Sequence, residues 1–487
     1  MTKNQVREVV MALSTKAAIL NNPLLSTFFK QSFLSLIGLT ALTTASLVDG
    51  IFIGQYVGPH GLAAVALLLP YITFLVALSL MLAIGGSVTI GTFMGKGDNH
   101  SGSALFTQIL IVTVTLNVIL AGLSYLAEPA LFWLLHIPSD IVPLTKQYFS
   151  VLRWVFILQF SGMVLYYLVR ADGYTKLATT ALLIGALNNI ALDALFVGHW
   201  GYGIEGAAYA TGVAQILQLF VLAAFFADKN RGVTLSTYSK PWRRLFSVLK
   251  NGISEFTNEI SVGVLFLVIN ALLVIKTGSE GVAAYSAVNY FIFLSIMVSF
   301  GIADALHLLV SYNRGASQPT RVNAFLLIAL ATVFTIGLMM TACLLWFRPF
   351  FIGLFLAPTQ QQVSTYAYII ILYIWPLFLV NGCNVLLSVF LTAIEKPFQS
   401  AVIALSRSIL FPVGLLFLLS YFTPSTSEDK NPDFSFLIAL PVAEWVTLCC
   451  AVFFVCRPYC LKRETLKKRL RNNTQKITTC NKCKSHC

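Results

Sequence analysis

Charged side chains are scarce in this chain. Asp, Glu, Lys and Arg make up 10% of its 487 residues, against roughly 25% in a soluble globular domain. Between Lys30 and Lys96 there is a single Asp, Glu, Lys or Arg, Asp49. Cysteine is missing before Cys343 and none of the nine falls in an expected outer loop, which argues against structural disulfides. HExxH and GxSxG are absent, which leaves a membrane-embedded lipid enzyme without a recognisable catalytic group. Met1 to Lys30 carries charges throughout and has no apolar core, so no cleavable signal peptide is expected.

What the chain has in abundance is apolar sequence, 57% of residues, with a mean hydropathy of +0.80. Phe33 to Val57 runs for 25 residues with no proline and no charge except Asp49. That is long enough to cross a bilayer core of about 30 Å as helix. Segmenting the apolar runs predicts an all-α integral membrane protein with twelve transmembrane helices, near 33–57, 62–94, 104–127, 147–170, 178–197, 207–227, 252–276, 282–311, 322–347, 363–391, 399–422 and 434–456.

Charge orients the set. With both ends on the cytoplasmic side, the inward-facing segments hold 26 of the 32 Lys and Arg, the positive-inside pattern. The net charge of +13 is then mostly topology, with a basic tail facing anionic lipid and no need for nucleic acid. The expected organisation is a cytoplasmic segment 1–32, a six-helix lobe 33–227, a basic linker 228–251, a second six-helix lobe 252–456 and a basic cytoplasmic tail 457–487. A bacterial inner or plasma membrane is the expected location.

The halves repeat. GPHGLAAV at Gly58 matches GSEGVAAY at Gly278 at an offset of 220, and AIGGSVTIGTFMGKG at Ala83 matches GIADALHLLVSYNRG at Gly301 at 218. Six helices per half put both copies in one orientation, as parallel repeats, an arrangement used by transporters that rock two lobes about a central site.

Six carboxylates fall inside expected spans: Asp49, Asp193, Glu255, Glu259, Asp304 and Glu444. An ionised Asp in mid-membrane costs roughly 2.5 to 3.5 kcal/mol, so each is either a functional ion carrier or neutralised, for example by Arg153 or Arg407. Asn189 and Asp193 are four apart and share a helix face, with the Thr211 hydroxyl on the next helix; Glu255 and Glu259 share a face in the same way. Hard oxygen donors suit Na⁺, and neighbouring carboxylates suit a proton. GYGIEG, Gly201 to Gly206, spells GxGxxG but follows a membrane helix with no βαβ context. Cys480, Cys483, His486 and Cys487 in the tail are a weak candidate Zn²⁺ set with no second spaced pair. The many aromatics, 37 of them Phe, mostly face lipid or neighbouring helices, though some could line a cavity for planar cations.

LVDGIFIGQYVGPHGLAAVALLLP, the NxxxD motif followed by GYGIEGAAYATG, and GISEFTNEISVGVLF together resemble the multidrug and toxic compound extrusion (MATE) family, in order from Phe33 to Cys456. The resemblance implies a first-lobe cation or proton site at Asp49, Asn189, Asp193 and Thr211, and a second-lobe proton or substrate site at Glu259, with Glu255 and Asp304 as further candidates. It departs in two places. Asn381 stands near where other members place an Asp, and QSFLSL lacks the proline found before the helix 1 Asp in many relatives.

The expectation is therefore a monomeric antiporter without cofactor, exporting amphipathic, cationic organic compounds in exchange for H⁺ or Na⁺. The rivals are a lipid-linked oligosaccharide flippase of the same superfamily and a membrane-embedded lipid enzyme. The charge pattern makes a direct prediction. A cysteine placed between Thr423 and Asp433 reacts with an impermeant maleimide from outside the cell and one near Arg243 does not; the reverse labelling would reject the twelve-helix topology.

Overall fold

The computed structural model describes residues 19–236, 242–353, 361–422 and 433–455. The tail cysteines and most of the Thr423–Asp433 loop lie outside the described residues. Backbone N–H and C=O groups in hydrocarbon need partners within the protein, and all regular structure among the described residues is helical.

Eleven helices are long and apolar enough to span a membrane, and a bent pair forms the twelfth. They are α1 (Leu24–Val57), α2 (His60–Gly95), α3 (Asn99–Leu126), α4 (Val142–Ala171), α5 (Thr175–His199), α6 (Gly203–Ala227), α7 (Arg243–Gly278), α8 (Glu280–Gly315), α9 (Pro319–Trp346), α10 (Gln361–Ile374 with Leu377–Ala393), α11 (Pro397–Phe422) and α12 (Ser435–Val455). Two of the largest departures from expectation are at starts. α1 begins at Leu24 and α7 at Arg243, ahead of the expected 33 and 252, because hydropathy marks the apolar stretch and the helices continue beyond it. The expected single span 363–391 is two helices meeting at 56°. Pro376 at the break has no N–H to give and disfavours helical geometry in the residue before it.

Gly58 (φ 94°) and Gly278 (φ 68°) make the sharp turns from α1 to α2 and from α7 to α8, in a region that side-chain-bearing residues rarely enter. These glycines are 220 apart, as are Gly95 and Gly315 at the ends of α2 and α8. The repeat therefore holds one register through both helices. The offset of 218 read from the Ala83 and Gly301 segments is two residues out, and the counterpart of Asp304 is Ile84. Runs without fixed anchors slide easily in a hydropathy match; the glycine turns pin them.

Gly95, Ala171, the 228–236 stretch, Gly315 and Ala393 lie at one end of the helices, the linker end. At the opposite end each lobe has its own apolar core: Ile53, Leu68, Phe149 and Phe156 in the first, Leu273, Val288, Ile370 and Phe434 in the second. At the linker end one core runs through both lobes, where Leu82, Val88, Phe106 and Leu168 join Leu306, Leu309, Phe325 and Leu386. The lobes are thus fused at one end only.

α2 and α8 approach each other closely. A Cβ on Gly95 would stand 3.0 Å from Gly315 Cα and overlap Tyr312 O, and a Cβ on Gly315 would stand 3.0 Å from Gly95 Cα and overlap Thr92 O. This reciprocity marks a pseudo-twofold axis between the two glycines. α7 crosses α2 as tightly, with Gly252 against the Met81 carbonyl and Gly85 against that of Val248. Missing side chains let backbones touch where lipid offers no hydrophobic drive for association.

The connection between lobes is sewn to the first. Asp172 accepts from Gly232 N (2.8 Å) and Val233 N (3.3 Å), Ser103 Oγ from Thr234 N (3.0 Å) and Thr107 Oγ1 from Ser236 N (2.9 Å). The start of the described chain lies against the second lobe, where Arg321 donates to Ile19 O (3.1 Å) and Asn22 O (3.0 Å). Gly95→Ala or Gly315→Ala should lower the unfolding midpoint in detergent, at a cost of about 1–3 kcal/mol for overpacking. Gly122→Ala, where a Cβ meets nothing within 4 Å, should leave it unchanged or raise it.

Candidate functional site

In the first lobe, α1, α4, α5 and α6 bring Asp49, Tyr148, Asn189, Asp193 and Thr211 into one neighbourhood. Asn189 Nδ2 points to Thr211 Oγ1 at 3.4 Å. Asp49 and Asp193 lie within electrostatic reach of each other and of Tyr148. Asp193 is fully buried and neither of its carboxylate oxygens has a protein partner; Asp49 Oδ1 is likewise buried and unpartnered. Buried carboxylates are ordinarily hydrogen-bonded or ion-paired, so these unpartnered oxygens have the chemistry to take a cation or a proton.

Both acids stand beside widened turns. Asp193 is followed directly by a π-helical stretch, Ala194–His199, and Asp49 comes one turn before another, Ile53–Val57. Such turns recur at functional sites. Gly50 contributes no close packing here, since a Cβ on it would meet nothing within 4 Å, whereas Gly54 lies against Leu62. Two neighbours escaped the reading of the sequence. Tyr148 is one. The other is Gln215, four residues after Thr211 and therefore on its face, with a buried Oε1 that has no partner; the ATGVAQ spacing was the available signal.

The second lobe is arranged differently. Glu444 receives Arg407 Nε at 3.1 Å and Asn384 Nδ2 at 2.6 Å, all three side chains buried. Glu259 is half-buried and in electrostatic reach of Arg407, and Glu255 in reach of Glu259 and Asp304. Glu255, near the start of its expected span, is 6% exposed, beneath a hydroxyl cluster in which Thr392 Oγ1 lies 3.5 Å from its carboxylate and 2.9 Å from both Ser254 Oγ and Ser400 Oγ. The early start of α7 carries Glu255 deep into the protein. Asn381 is paired with Ser295 at 3.2 Å.

Asp304 leaves its own lobe. It forms a buried ion pair with Arg170 of α4, whose guanidinium also donates to Tyr166 Oη (3.0 Å) and Ser35 Oγ (2.7 Å). Arg153, the other candidate neutraliser, pairs with Glu128 on the short helix Glu128–Leu134. Among the described residues no three His, Cys, Asp or Glu side chains gather as a metal site.

Two six-helix repeats, fused at one end around membrane-buried acids, define a two-lobed multi-pass membrane protein of the transporter type. A family model described as MatE matches residues 35–195 and 258–418, one copy in each lobe, and the chain belongs to that family. Among its relatives, "Probable multidrug resistance protein YoeA" of Bacillus subtilis is 23% identical over 78% of this chain and 84% of its own length. The "FAD transporter" of Shewanella oneidensis is 24% identical over 84% of this chain and 91% of its own. A solved structure described as MATE in the bent conformation shares the fold with a TM-score of 0.82 at 22% identity, covering 96% of this chain and all of the other.

The contrast between the lobes is measurable. Glu444→Ala strands Arg407 and should cost about 3–5 kcal/mol of stability. Asp49→Asn and Asp193→Asn remove charges that have no protein partner and should keep or raise the unfolding midpoint of the purified protein.

Proposed function

We propose that this protein is a secondary antiporter that exports amphipathic, cationic organic compounds in exchange for H⁺ or Na⁺. The observation that carries this reading is the unpartnered pair Asp49 and Asp193 in a lobe that has its own core at one end. The coupling ion would bind at Asp49, Asn189, Asp193 and Thr211, and Glu259 and Glu255 would face substrate or a second proton. Ion and substrate must favour different states for exchange to occur, because a ligand shifts an equilibrium only by its differential affinity. The relatives named for multidrug resistance support the substrate class. In this reading the linker end faces the cytoplasm, as the basic segments there suggest, the protein works as a monomer, and it is not an enzyme.

A second reading, export of a flavin dinucleotide, is favoured by the Shewanella relative. One assay separates them. Purified protein in vesicles is given a cationic dye or FAD under separate pH and Na⁺ gradients. Dye movement that follows one gradient, lost in Asp49→Asn and reduced in Glu259→Gln, supports the antiporter; gradient-driven FAD movement without dye movement supports the second reading. Normal gradient-driven export by Asp49→Asn would reject the first-lobe coupling site.

A further inference from the structure

We propose that the Arg170–Asp304 ion pair sets how readily the two lobes part at the linker end, making Arg170 and Asp304 positioning residues of the transport cycle. The proposal rests on the two-lobe transporter reading only in that the lobes separate.

Four observations carry it. The pair bridges the repeats, with Arg170 in the last turn of α4 and Asp304 well inside α8. It is buried on both sides, the Arg170 and Asp304 side chains being 3% and 7% exposed. It lies in the part of the molecule where a single apolar core runs through both lobes. Finally, its hydrogen bonds are divided unequally. Arg170 keeps two partners from its own lobe, Tyr166 and Ser35, so its geometry is set before Asp304 arrives. His307, one turn beyond Asp304 and within its electrostatic reach, has a buried Nδ1 with no partner.

The repeat shows what the pair replaces. Thr392 is the penultimate residue of α10 as Arg170 is of α4, and in the register set by Gly58 and Gly278 the counterpart of Ser35 is Glu255. Arg170 donates to Ser35 Oγ at 2.7 Å, and Thr392 Oγ1 lies 3.5 Å from the Glu255 carboxylate. Each lobe thus joins its first and fourth helices at this place. The first lobe sets there the cation of a pair between lobes, where the second sets a hydroxyl, and the counterpart of Asp304, Ile84, is apolar.

The energetics then fix the direction of each substitution. A buried pair is close to neutral against apolar side chains of similar size, because the cost of removing two charges from water offsets their attraction. A single buried charge is strongly unfavourable, and parting the lobes would let water reach it. Losing one member therefore favours separation, whereas replacing both by apolar groups favours closure, since parting would then expose apolar surface.

The test is a labelling rate. Ser311, on α8, is 1% exposed and its hydroxyl sits where a Cβ on Gly91 of α2 would go. Ser311→Cys, in a chain whose nine native cysteines are replaced, is treated in vesicles with an impermeant maleimide from the linker-end side. Asp304→Asn and Arg170→Gln should each speed labelling at least tenfold, and Arg170→Met combined with Asp304→Leu should slow it below the parent. Labelling of the folded single variants at the parent rate would overturn the proposal, and so would a double variant as fast as the singles, which would indicate lost packing rather than charge. If the single variants do not fold, the double variant decides: slower labelling supports the proposal, parental or faster labelling overturns it. The measurement needs neither substrate nor coupling ion, so its failure leaves the antiporter reading standing, and absence of gradient-driven export by the parent protein, with the expected labelling of the variants, would reject that reading alone.

Discussion

The contact of Gly95 with Gly315 governs the shape of the molecule. With no side chain on either, α2 and α8 meet backbone to backbone at the linker end, and a common core forms around them. Helices that touch there and lean apart elsewhere must leave two separate cores at the far end. The Gly58 and Gly278 turns deliver α2 and α8 to that crossing in the same register, so the repeat and the seam are one feature. Because lipid supplies no hydrophobic force between helices, the closeness itself does the holding, through dispersion over a long strip of backbone.

Against this near-symmetric frame the acids are placed unequally. The first lobe leaves Asp49 and Asp193 bare, while the second surrounds Glu444 with Arg407 and Asn384. A bare carboxylate changes its energy greatly when an ion arrives, and one already saturated with donors changes little. The division leaves open carboxylate oxygens in the first lobe and a saturated polar core around Glu444 in the second. π-helical turns stand beside Asp49 and Asp193, and a third, Ser406–Leu410, carries Arg407.

Much of this was legible in the sequence. Hydropathy located the twelve spans, charge scarcity singled out Asp49, and the four-residue spacings of Asn189 with Asp193 and of Glu255 with Glu259 fixed shared helix faces. The illegible parts have physical causes. Hydropathy reports the depth of lipid and not the length of a helix, so α1 and α7 began earlier than expected and Glu255 lies a full three turns inside α7. Pro376 sat in plain view, but an apolar run on either side disguised two helices as one. Partnerships between lobes leave no local pattern at all. Nothing near Arg170 or Asp304 in the chain announces a pair 134 residues apart, and Tyr148 joined the first-lobe acids only through folding.

The pseudo-twofold axis invites a comparison with a dimer of two identical half-length chains. Identical subunits share every residue, so an Arg and an Asp joined across their axis would be present twice, once on either side. A single fused polypeptide is released from that rule. Here the basic residue stands in one half and the acidic residue in the other, while Thr392 and Ile84 occupy the places where a duplicate would have stood. A single chain thus does more than tether the halves: it lets each carry its own residues, and the seam between them is free to be lopsided.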